Sequence, residues 1–98
     1  MIEQTSEIDP NVLHEYLKEL LYEVEQGNSG AMKDIGDCYY RGIGIEVNYR
    51  EALYWYLKAI ENGNIDAMSE VSIFFENGLG IDQDEVMSDY WSKKAAAG

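Results

Sequence analysis

The sequence predicts an all-α fold of antiparallel helix pairs stacked side by side, about two and a half repeats, or five helices. Two observations predict it. The first is a gapless period of 36 residues: Glu25-Gln26-Gly27-Asn28-Ser29-Gly30-Ala31-Met32 returns as Glu61-Asn62-Gly63-Asn64-Ile65-Asp66-Ala67-Met68. In the same register Arg41-Gly42-Ile43-Gly44-Ile45 returns as Asn77-Gly78-Leu79-Gly80-Ile81, and Tyr54-Trp55 with Lys58-Ala59 as Tyr90-Trp91 with Lys94-Ala95. A fixed period of this size marks units that bury their apolar faces on one another. The second observation is that each period holds two runs of apolar residues at helical spacing, parted by a glycine-bearing loop.

Taken in chain order, residues 1–9 are polar and without pattern, and read as a flexible lead-in. Asp9-Pro10 offers a cap acceptor followed by a proline suited to the first helical turn. Leu13, Leu17, Leu20, Leu21 and Val24 then form an apolar stripe, which Gly27-Asn28 ends. Leu17, Leu20 and Val24 lie one period before Leu53, Tyr56 and Ile60, so residues 10–26 read as a capping half-repeat. Repeat one, residues 27–62, is expected to hold helices over about 29–41 and 49–61, with Gly42-Ile43-Gly44 between them. Ala31, Ile35 and Tyr39 form the expected core sector of its first helix, with Met32 and Cys38 beside them. Ala52, Trp55, Tyr56, Ala59 and Ile60 do the same in its second. Repeat two, residues 63–98, copies this with Ala67, Val71 and Phe75, then Trp91, Ala95 and Ala96. The whole of 10–98 is one domain.

The pattern Gly-Asn-x-x-Ala, Gly, an aromatic, Gly-x-Gly-Ile and Ala-x-x-Trp-Tyr-x-Lys-Ala resembles the Sel-one-like repeat family over residues 25–98, with 11–24 as a partial unit. The resemblance implies a short right-handed α/α superhelix related to the tetratricopeptide repeat, and a protein-binding role. It is closest in repeat one. In repeat two, Ser72, Ser88 and Ser92 stand where the family pattern has glycine, alanine and tyrosine, which removes apolar area from the last helix pair.

Catalytic chemistry finds little footing. His14 is the only histidine and flanks the Leu13/Leu17 stripe; Cys38, the only cysteine, lies in an apolar sector and can form no internal disulfide. Asp82-Gln83-Asp84-Glu85 lacks the glycine and distal glutamate of a calcium loop, and reads instead as the start of the last helix. Gly42-x-Gly44 lacks the strand, lysine and third glycine of a phosphate cradle. No enzyme activity, cofactor or metal is therefore expected. Nor does any stretch reach the apolar length of a membrane span. Without a basic, apolar leader, the chain is expected to be cytoplasmic.

Charge is the informative remainder. Nineteen acidic residues against seven basic ones give −12, which repels nucleic acid and favours rapid encounter with a basic protein. At about 100° per residue, the sector of the first helices facing away from the core carries Lys33, Asp37 and Tyr40, flanked by Asp34 and Arg41. One period on, it carries Ser69, Ile73 and Glu76, flanked by Glu70 and Asn77. Asp34, Asp37, Tyr40, Glu70, Ile73 and Glu76 are the candidate partner-binding residues: an apolar anchor within carboxylates. Tyr54 and Tyr90 form a second exposed pair on the second helices. The sharpest reading is a small acidic inhibitor of the immunity type, covering a basic toxin or nuclease. A regulatory adaptor is the alternative, as is a homodimer formed through the serine-rich C-terminal end.

Overall fold

The structure, a computed structural model, describes residues 10–98, with side chains from His14 onward. The expected lead-in over 1–9 and the Asp9 cap lie outside the described residues. Five helices and no strand occur among the described residues: α1 (Pro10–Glu25), α2 (Ser29–Arg41), α3 (Tyr49–Glu61), α4 (Ala67–Asn77) and α5 (Glu85–Ala97). Each start has a local cause. Side-chain oxygens of Asn28, Asn48 and Asp84 accept the backbone N–H three residues on, at 3.1 Å in each case. At α4 the acceptor for Ala67 is Asn64, whose Nδ2 also donates to the Ser29 carbonyl and ties the inter-repeat turn to the head of α2. Asp84 thus does the capping work expected of the Asp82-Gln83-Asp84-Glu85 run.

The 36-residue period extends to the backbone hydrogen bonds. Asn48 N–H donates to the Tyr39 carbonyl and Asp84 N–H to that of Phe75, both at 2.9 Å; Ile43 to Cys38 is repeated by Leu79 to Phe74. Sequence identity between repeats is partial, yet each loop folds its chain back through the same bonds. The helices follow in sequence across the stack: α2 pairs with α3 and α4 with α5, while α1 packs on α2 and α3 on α4. These are the stacked helix pairs that the periodicity predicts, in the α/α arrangement that the resemblance implies.

The core is continuous along the stack, with Met32, Ala52, Leu53, Tyr56, Ala59, Ala67, Val71 and Phe74 in one cluster and Leu20, Ala31, Ile35 and Cys38 in the next. Its tightest joint is between α2 and α3. A Cβ on Gly36 would sit 2.7–2.8 Å from two carbons of the Tyr56 ring, so only glycine allows that ring between the helices. A second close approach joins the repeats: a Cβ on Gly80, whose φ is +69°, would meet the Arg50 nitrogen at 2.8 Å, at the head of α3. The core sector of the first helices centres one position earlier than expected on one side and extends further on the other. Cys38 and Phe74 are fully buried, while Tyr39 and Phe75 are half-buried.

The last hairpin is the looser one. Ala52, Leu53, Tyr56 and Ala59 are buried on α3, whereas no residue of α5 is. The Trp91 indole nitrogen is enclosed without a hydrogen-bond partner, a cost of about 1–3 kcal/mol. Ser72 replaces the glycine of repeat one and donates through its hydroxyl to the Ser88 carbonyl at 2.8 Å. These two hairpins should respond differently to matched substitutions. Gly36→Ala forces the buried Tyr56 ring to move and should cost about 1–3 kcal/mol in denaturant unfolding. Ser72→Ala, at the equivalent position, loses one neutral hydrogen bond and should cost about 0.5–1.5 kcal/mol. Equal losses at the two positions would contradict this packing account.

Candidate protein-binding surface

The side of the stack lined by α2 and α4 carries most of the candidate residues, and Tyr56 of α3 organises it. Its side chain is fully buried, the ring edge-on to Phe74 with centroids 5.6 Å apart, and its hydroxyl donates to Asp37 Oδ1 at 2.5 Å. Lys33 donates to the other oxygen of Asp37 at 3.2 Å. Burial holds the Tyr56 phenol far above its ordinary range. The bond to Asp37, then the charges of Asp37 and Glu70, push it the same way, and Arg41 opposes them. Asp37, Glu70 and Arg41 therefore surround one hydroxyl that stays protonated.

Asp34, half-buried one turn before Asp37's neighbours, is the most strained carboxylate of the strip. Its pKa is raised, first by burial and then by the charge of Asp37; Lys33 offsets part of this, and Glu23 of α1 adds to it. From the same helix, Tyr16 stands close enough that burial, Asp34, Cys38 and Asp37, in that order, raise its phenol. The acidic strip is thus built from three helices, Glu23 and Tyr16 on α1, Asp34 and Asp37 on α2, and Glu70 on α4, with Ile73 exposed at its far side.

Two expectations need correction. Tyr40 does not stand free on this face: its ring packs 5.4 Å from Phe74 and 5.9 Å from Tyr49, inside the joint between repeats. The reason is that α2 packs on α1 and α3 while Phe74 of α4 reaches Tyr40, so its apolar arc is wider than a helix with one covered face requires. The outward arc narrows to Lys33, Asp34, Asp37 and Arg41. Asp37, in turn, is no free carboxylate, being held by Tyr56 and Lys33. Glu76 is exposed but lines a groove at the C-terminal end of the stack, apart from the Tyr56 cluster. Asp34 stands beside Asp37, and Asp37 and Glu70 flank the Tyr56 hydroxyl; Tyr40 is half-buried. Tyr16, Glu23 and Tyr56 were missed, although a signal exists for the first two: they stand one period before Ala52 and Ala59, where the repeat needs small residues.

Elsewhere, His14 is exposed, and Cys38 is buried with its thiol pKa raised, first by that burial and then by Asp37 and Asp34. No cluster of His, Cys, Asp or Glu among the described residues has metal-binding geometry. No helix among them is long and apolar enough to cross a membrane. Where the second joint has Phe74, the first has Cys38, and an apolar slot of about 100 Å³ bordered by Leu17, Leu21, Ile35 and Trp55 remains beside it. Tyr54 and Tyr90 are half exposed, each edge-on to the tryptophan that follows it.

The strip's crowding has a measurable sign. An ionised Asp34 is less favourable in the folded chain than in the unfolded one, where 3.8 is its ordinary pKa. It therefore penalises folding above its raised value, and the penalty fades as pH falls through that value towards 3.8. Asp34→Asn should raise the Tm at about pH 7, with the gap to the wild type closing by about pH 4. A lower Tm at neutral pH would overturn this assignment.

Comparison with known proteins agrees with the geometry. Two Sel1 repeats match, over residues 29–64 and 65–98. Among solved structures, a Sel1 repeat protein from Oxalobacter formigenes is 30% identical with a TM-score of 0.78, over 83% of this chain and 62% of its own. A protective antigen present in uropathogenic Escherichia coli strains, displaying an SLR fold, is 31% identical with a TM-score of 0.78, over 83% of this chain and 17% of its own. This chain thus spans about three fifths of the first relative and about a sixth of the second. No curated protein matches it. Sel1 repeats are generally protein-interaction modules, typically without catalytic activity. With both repeats matched and both described hairpins in place, this chain belongs to the Sel1 repeat family.

Proposed function

We propose that this chain is a non-catalytic protein-binding module whose acidic strip engages a basic protein. The observation that carries the reading is the half-buried carboxylate Asp34, crowded by Asp37 and Glu23 and only partly relieved by Lys33, in a chain of net charge −12. A cationic side chain brought to this strip offsets repulsion that the fold itself leaves standing. Ile73, exposed on the next helix, supplies an apolar contact beside the charges. In its sharpest form the reading is an inhibitor of the immunity type that covers the basic cleft of a toxin or nuclease in the cytoplasm, its carboxylates taking the place of phosphates.

An adaptor role is the second reading, and one observation favours it. The Escherichia coli relative carries the matched region as 17% of its length, so repeats of this kind occur as portions of much longer proteins. An adaptor would hold one partner at the strip while other surfaces hold another.

Affinity capture from source cells tests the acidic-strip reading. Asp34 and Glu70 are the positions to reverse, because Asp37 is bonded into the fold. The wild-type chain should retain a basic protein at about 20 mM salt and release it at about 500 mM, where the Debye length falls below about 5 Å. The D34K/E70K variant, with unchanged helicity by circular dichroism, should retain none. A partner held equally by both chains, or one indifferent to salt, would overturn the strip as the site.

A further inference from the structure

The joint between the repeats shows how this stack receives a helix. Ala67, Val71 and Phe74 of α4, all fully buried, dock on repeat one, and the Phe74 ring is seated by three others: Tyr40, Tyr49 and Tyr56, with centroids 5.4, 6.1 and 5.6 Å away. Leu53 packs in the same cluster. One period on, the residues at those four positions are Glu76, Glu85, Ser92 and Asp89, and all four border an open groove of about 560 Å³ between α4 and α5. Ser72 and Ser88, standing for Gly36 and Ala52, line it too. The seat is kept, but its aromatic wall has become carboxylate and hydroxyl.

This conversion is more specific than making an end surface soluble requires. Long side chains of either sign would serve that purpose and would fill the space. Instead three serines keep the groove open, and Ser92 removes the ring that in repeat one closes it. The charges placed in it are of one sign: Glu76 and Glu85 form no ion pair among those of the described residues, and Asp89 is shared with Lys93 at 3.2 Å. A helix like α4, offering phenylalanine, would bury Glu76 and Glu85 unpaired and is rejected. A second copy meeting this face with its own would set the same carboxylates against each other.

We propose that this groove docks a helix of a partner protein in the place α4 takes on repeat one, with an arginine or lysine between Glu76 and Glu85 where α4 inserts Phe74. Small residues on the partner helix, one and two turns before that cation, lie over Ser72 and Ser88 as Ala67 and Val71 lie over repeat one. The proposal rests on the reading of the chain as a protein-binding module, but it concerns a surface separate from the Asp34 strip. It adds a second contact for a partner already drawn by charge.

The probe is an alanine-based helical peptide of about 16 residues with one central arginine, compared with the same peptide carrying norleucine there. Binding is followed by amide chemical shifts of the full chain. The arginine peptide should move the amides around Glu76, Ser88 and Ser92 most. Affinity should fall at least about tenfold for the norleucine peptide and for Glu76→Lys, while D34K/E70K changes it less than about threefold. Ser92→Gln, which adds neutral bulk at an exposed helical position, should also weaken it. Shifts centred on Asp34 and Glu70, or spread evenly over the surface, would overturn the proposal while leaving the strip's role standing. So would unchanged affinity in Glu76→Lys and Ser92→Gln together. Sedimentation showing a dimer that Glu76→Lys dissociates would assign the groove to a second copy and overturn it as well.

Discussion

Tyr56 is the residue on which the stack turns. Its ring occupies the space that Gly36 leaves empty on α2, meets Phe74 of α4 edge-on, and is wholly enclosed. Its hydroxyl donates to the half-buried Asp37. One side chain from the middle helix thus joins its own hairpin, the next hairpin and the outer acidic strip. Packing and electrostatics are coupled there: the ring can be buried only because Asp37 satisfies its polar tip, and Asp37 is held in place only because the ring is. Lys33 completes the arrangement by taking the second carboxylate oxygen.

Repeat two shows what happens when that residue is absent. Ser92 stands at the position of Tyr56, and Ser72 at that of Gly36. The two changes belong together: with no ring to accommodate, glycine is no longer required, and the serine that replaces it bonds across to α5. The backbone is indifferent to the exchange. Turn hydrogen bonds, caps and left-handed glycines recur at the same 36-residue offset in both units. Local chemistry therefore sets the hairpin, and side-chain volume between the helices sets how tightly each hairpin closes.

This division explains what could be read from the sequence. Helices α2 and α3 run where glycine punctuation and apolar spacing place them, because those signals act within a few residues. The partners of a buried face are less local. Tyr40 reads as an outward aromatic on a helical wheel, since the wheel assumes one covered side; the arrival of α4 covers a second. Phe74 and Phe75 are adjacent aromatics, and spacing alone favours the wrong one for the deepest position. Asp37 and Glu70 were legible as neighbours across the stack through the period. That Asp37 is bonded to a buried tyrosine from α3 was not, because the bond spans 19 residues between elements whose relative rotation no local pattern encodes.

The placement of charge follows from the same geometry. A helix covered on more than one side has a narrow outward arc, and on α2 that arc holds Lys33, Asp34, Asp37 and Arg41. Asp34 and Asp37 share that arc, and the cost appears as a carboxyl whose ionised form is disfavoured by burial and by Asp37. Around it stand two further carboxylates, Asp37 and Glu23, and one cation, Lys33. Lys33 relieves part of that cost. The rest stays standing in the fold, because Lys33 is also bonded to Asp37.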